Sequence, residues 1–109
     1  MKFLTKPLHR KLLANGQKPD QDHAPVVKFF NPCGAATWLI SELDMDNDTA
    51  FGLCDLGMGC PELGNVSLKE LQSIRGPLGL GIERDRHFKT DRPMSEFAEK
   101  AYAAGRIVA

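Results

Sequence analysis

Two extended, apolar runs, ATWLISEL (36–43) and TAFGLCDL (49–56), are separated by only five residues, DMDND. β-Branched and aromatic side chains suit a pleated surface, and Asp and Asn are turn formers because their short side chains bond to their own backbone. So short a break joins antiparallel neighbours, since a parallel crossover needs a dozen or more residues. Alternation along the first run puts Trp38 and Ile40 on one face and Leu39 on the other. A central antiparallel hairpin is therefore the element to which the rest of the chain must be fitted.

The remaining elements read off around it. Thr5 is placed to cap a first helix that has Pro7 in its opening turn and an apolar stripe at Leu8, Leu12 and Leu13, with Asn15-Gly16 expected to end it through a left-handed glycine. Polar QKPDQDHAP (17–25) is a loop and VVKFF (26–30) a strand. A short extended piece at GNVS leads into a helix from Ser67, whose S-x-x-E pattern with Glu70 is a capping box, with Leu68, Leu71 and Ile74 as its buried stripe and Gly76-Pro77 as its stop. LGLGIERD (78–85) reads as a loose-ended strand. Asp91 or Ser95 is expected to cap a last helix that buries Phe97, Ala98, Ala101 and Tyr102 and ends at Gly105. The expected fold class is α+β, a small antiparallel sheet of about four strands with about three helices packed on it, and residues 1–109 form a single domain.

The chain is 42% hydrophobic and 26% charged, ordinary for a globular protein. No apolar run approaches the ~18 residues of a membrane span. The opening MKFLTKPLHRKLLANG is interrupted by Lys6, His9, Arg10 and Lys11 and makes a poor signal peptide, and three cysteines fit reduced thiols, so the expected location is cytoplasmic.

Formal net charge is zero but unevenly spread. Residues 1–28 carry +4 and residues 69–109 carry +2, whereas residues 29–68 contain no lysine or arginine and carry −6 through Glu42, Asp44, Asp46, Asp48, Asp55 and Glu62. Such an acidic island between basic flanks bears on partners rather than on fold.

Four constellations invite chemistry. In CDLGMGCPELG (54–64), Cys54 and Cys60 lack the paired C-x2-4-C spacing of a zinc site, and no histidine is set beside Cys60 to activate it. The glycines lack the Lys-Ser/Thr of a phosphate loop, so chain reversal through Gly57, Gly59, Gly64 and Pro61 is the better account. DMDND resembles the start of a calcium loop but has Thr49 where the sharp turn demands glycine. ERDRHFKTDR (83–92) offers Arg84, Arg86, Lys89 and Arg92 to phosphates, diluted by Glu83, Asp85 and Asp91. Trp38, the sole tryptophan, is a core residue or, failing that, a partner anchor. No pair of acid–base groups has a spacing that forces proximity, so no catalytic residue, metal site or cofactor is expected.

The segments LTKPLHRKLLANG, PVVKFFNP, ATWLISELD, AFGLCDLGMGCPELGNVSLKEL, RGPLGLGIERDRHF and RPMSEFA, in this order, resemble an uncharacterised domain-of-unknown-function family of small bacterial proteins. The resemblance spans Leu4 to about Ile107, with ELG-x-V-S-L-x-E-L and RGPLGL-x-IERD its most specific pieces. It implies carriage on plasmids, conjugative elements and phages, transfers no catalytic residue, and implies a non-cysteine residue at the position of Cys60. The functional expectation is a non-enzymatic protein-binding module whose acidic residues, with Trp38, meet a basic DNA-handling protein. The alternative is nucleic-acid binding through Lys2–Lys28 and Arg84–Arg92.

Overall fold

The computed structural model describes residues 3–109; Lys2 lies outside the described residues. Helix α1 (Lys6–Gly16) is followed by strands β1 (Val27–Phe30), β2 (Thr37–Leu43), β3 (Thr49–Asp55) and β4 (Glu62–Ser67), helix α2 (Leu68–Ser73), strand β5 (Glu83–Arg84) and helix α3 (Met94–Ala104). The strands form one sheet in the order β4-β3-β2-β1-β5, with every neighbouring pair antiparallel. The fold is α+β, with the expected hairpin at its centre.

Both faces of the sheet are covered. On one, Leu12 of α1 and Leu68 and Leu71 of α2 pack with Val27, Phe29, Trp38, Ile40, Leu43 and Ala50. On the other, Met94, Ala98 and Ala101 of α3 pack with Leu39, Leu53 and Ile107. This double cover leaves β2 buried from Trp38 to Leu43. Each large side chain so enclosed contributes about 1.5–3 kcal/mol.

The β2–β3 register slips between Ile40 and Glu42, making Ser41 a bulge. A bulge inserts one residue and so reverses the alternation beyond it. Leu43 rejoins Trp38 and Ile40 on the α1 face, while Glu42, paired with Phe51, turns toward α3. The end of α1 docks here: Asn15 Nδ2 donates to the Ser41 carbonyl at 2.9 Å. Gly16 does not take the left-handed conformation expected of it; α1 runs through it and is capped by Gln17 in right-handed helical geometry. The glycine is required by contact instead, because a Cβ there would sit 2.1 Å from the Leu43 carbonyl oxygen.

The other departures also have local causes. GNVS is part of a six-residue edge strand, β4, which contains Gly64 without a positive φ. α2 stops at Ser73, before Gly76-Pro77, so Ile74 is extended and exposed rather than buried. Residues 75–81 form a tight loop closed by an Arg75–Gly81 bridge, leaving only two residues for β5. α3 has neither Asp91 nor Ser95 as its N-cap: Pro93 holds that position, and Asp22 of the 17–25 loop accepts from the Ser95 backbone N–H and hydroxyl. Tyr102 is off the buried face, which is built on Met94, Ala98 and Ala101, and Gly105 ends the helix in left-handed geometry as expected. No described helix is long and apolar enough to cross a membrane.

Candidate functional site

The six carboxylates of the acidic island divide between the two ends of the central hairpin, ~20 Å apart for seven-residue strands. At the β2–β3 turn, Asp46 folds back on its own loop: Oδ1 accepts from the Asp48 and Thr49 backbone N–H groups at 2.9 and 2.8 Å, and Oδ2 from the Thr49 hydroxyl at 2.7 Å. These bonds, the Thr49 hydroxyl foremost, hold its pKa below the usual carboxylate value. Asp48 reaches α2, accepting from the Ser67 hydroxyl and the Lys69 backbone N–H at 2.9 Å each, while Ser67 Oγ accepts from the Glu70 N–H at 3.2 Å. Asp44 is exposed.

At the far end Asp55 is 3% exposed, with Oδ1 accepting from the Gly57 N–H at 2.8 Å and Oδ2 from the Ile107 N–H at 2.9 Å. It ties the C-terminal tail to the end of β3. Glu62, exposed on β4, pairs in register with Cys54.

Between those two residues runs the glycine-rich stretch. Gly57 and Gly59 hold φ of +81° and +80°, conformations that cost an L-residue with a Cβ, and they reverse the chain from β3 into β4. The Cys54 thiol is pushed up to about 11 by burial, with a further rise from Glu62. Cys33 and Cys60 are exposed free thiols. Among the described residues no three His, Cys, Asp or Glu side chains come together as a metal site. Trp38 is 4% exposed and packs in the α1 and α2 core, and it lines a groove with Leu56, Val66, Leu71 and Ile74.

The basic residues are dispersed. Arg84 Nε donates to the Phe3 carbonyl at 3.2 Å, and Arg92 pairs with Glu96 at 3.7 Å along α3. Arg86 and Lys89 are exposed on the loop between β5 and α3, where Asp85 lies 3.9 Å from Lys28 and Phe88 packs at 6.3 Å on Phe97. Lys6, Arg10, Lys11 and Lys18 are exposed on α1 and the loop after it.

One concave site gathers several ionisable groups, of which Glu42 has no partner among the described residues. It is a cleft of about 280 Å³ between the 19–23 loop, the start of α3, and the sheet surface beyond the bulge. Phe51, Leu63, Met94 and Pro19 form apolar walls, and Asp20, Asp22 and Glu42 supply carboxylates. The loop is pinned by the Met94 N–H donating to the His23 carbonyl at 2.8 Å and by a 2.8 Å bond between His23 Nε2 and the Lys18 carbonyl. Glu42 is 8% exposed and has no hydrogen-bond or ion-pair partner among the described residues, and its carboxylate oxygens keep contact with solvent, since no fully buried side-chain polar atom there is unsatisfied. Desolvation raises its pKa; the neighbouring His23 lowers it and Asp44 adds a smaller rise.

The family comparison matches residues 3–108 to the model described as "Protein of unknown function (DUF2958)". The chain belongs to this family. No curated protein matches it, and no solved structure does.

In this DUF2958 chain the sequence reading found Glu42 as one of six acids but had no means of singling it out. Strict alternation from Trp38 and Ile40 places it on the α1 face. The bulge at Ser41 moves it to the α3 face, and the cleft's other carboxylates come from a loop some twenty residues earlier. Asp20 and Asp22 stood outside the acidic island in sequence and join Glu42 in space.

Proposed function

We propose that the chain is a non-enzymatic protein-binding module, an accessory protein of mobile genetic elements, that engages a basic DNA-handling protein through the acidic surface at the turn end of its central hairpin. The observation that supports this is the buried, unpartnered Glu42, flanked by Asp20, Asp22 and exposed Asp44, with no lysine or arginine of the described chain paired to any of them. The Glu42 carboxylate keeps contact with water but is partly desolvated by the walls around it, and an incoming cation compensates that loss. Asp46 and Asp48 keep the surrounding loop in one conformation and so preorganise the surface. Asp55 and Glu62 lie at the other end and take no part.

Complementary charge accelerates association and makes it sensitive to salt. Carbodiimide crosslinking, which joins carboxylates to lysines, tests the reading in cell extract. The expected result is a basic protein coupled at low salt, lost at moderate salt, and lost at low salt with Asp44→Lys. Coupling that ignores both salt and the charge reversal would reject the reading.

A further inference from the structure

We infer that the cleft between the 19–23 loop, β2 and the start of α3 is a socket for one cationic side chain of a protein partner, a lysine or an arginine, with Glu42 as its counter-charge. This rests on the basic-partner reading above and adds to it a specific site. Glu42 is more than nine-tenths buried, lines the cleft and lacks a partner within the described chain. Among the described residues no fully buried side-chain oxygen or nitrogen lacks a hydrogen-bond partner, so the Glu42 carboxylate, which has none, keeps its oxygens open to solvent and to a ligand. The shape supports the assignment: apolar walls from Pro19, Phe51, Leu63 and Met94 suit the methylene stem of a long basic side chain, whose charged head then meets Glu42.

The charges that face the cleft fix the sign of the ligand. Asp20 and Asp22 line it, with Asp22 already accepting from Ser95, and Asp44 acts on Glu42 from the adjoining turn. Among the described residues His23 is the only basic group lining the cleft, and its Nε2 is bonded to the Lys18 carbonyl. Lys18, exposed on the same loop, forms no ion pair among the described residues. An anion is repelled here, and no three metal-ligating side chains come together among the described residues.

The test uses the full chain in low salt, with N-acetyl-lysine methylamide, N-acetyl-arginine methylamide, the uncharged N-acetyl-norleucine methylamide and putrescine as probes, followed by NMR. The expected result is saturable shifts confined to the signals of residues 20–23, 42 and 94–95 with at least one of the two basic amides, at ~1 mM affinity, and none with norleucine. The bound cation also moves the Glu42 side-chain titration to lower pH, a readout that needs no variant. Glu42→Gln weakens binding at least about tenfold, whereas Asp44→Asn leaves the site occupied. Shifts equal for norleucine and the basic amides, undiminished binding in Glu42→Gln, or an unmoved Glu42 titration would overturn the socket. Tight putrescine binding without either amide would assign the site to a free polyamine and overturn the side-chain assignment. If the socket fails while charge-sensitive crosslinking persists, the partner reading stands and only the site falls. If crosslinking fails while the amides bind, the socket stands without that partner.

Discussion

Asp55 and Glu42 sit on the same hairpin, 3% and 8% exposed, and their circumstances are opposite. Asp55 gives both oxygens to backbone N–H groups, that of Gly57 at an exposed turn and that of Ile107 in the interior. Glu42 has no such bond, and burial disfavours its charged form. A buried carboxylate that satisfies the backbone is part of the scaffold. One that bonds to no group of the fold and reaches only solvent takes no part in the scaffold's hydrogen bonding, and its partial desolvation disfavours the charged form. Position in an acidic island does not separate these two roles; hydrogen-bond partners do.

The comparison can be broken first at Asp55. Asp55→Ala leaves two N–H groups without acceptors, and urea denaturation is expected to show a loss of about 3 kcal/mol or more. A loss below ~1 kcal/mol would mean that water or backbone movement replaces the carboxylate. Asp48 sharpens the same side of the contrast at smaller scale. Asp48→Ala removes the cap shared by Ser67 and Lys69 and is expected to cost about 1–2 kcal/mol, with hydrogen exchange rising first at the start of α2. Cys54 supplies a further, half-buried ionisable group on the hairpin, a thiol whose pKa is pushed up to about 11. Alkylation at pH 8 is expected to modify Cys33 and Cys60 rapidly while Cys54 reacts only as fast as the chain unfolds, with little loss of stability from the surface labels. Rapid labelling of Cys54 in the folded chain would show β3 to be open.

The hairpin, the helices and the sheet's antiparallel sense were legible because period-two alternation, Asp/Asn turns and the Ser67 cap are local signals. What was not legible depended on chain segments meeting. The Gly16 contact with Leu43, the Asp22 cap on α3 and the Asp48 cap on α2 each join residues far apart in sequence. The bulge at Ser41 carries no proline or glycine of its own to mark it, and its partner strand's Gly52 is the nearest clue: a Cβ there would lie 1.9 Å from the Leu39 carbonyl oxygen. Without the bulge Glu42 joins the wrong face, and the cleft is invisible.

The most direct measurement is urea stability of the wild-type chain and Glu42→Gln across pH 3–8. Because the folded-state pKa of Glu42 is raised, the native state holds this proton more tightly than the unfolded chain does. Stability from this group is therefore full below the unfolded value of about 4.5 and declines as pH rises toward the folded value. Glu42→Gln removes that decline. The account predicts that the variant matches the wild type near pH 3 and exceeds it at pH 7. A variant less stable than the wild type at pH 7, as is expected of Asp55→Ala, would show that Glu42 is a satisfied part of the scaffold and would contradict the distinction on which the functional reading stands.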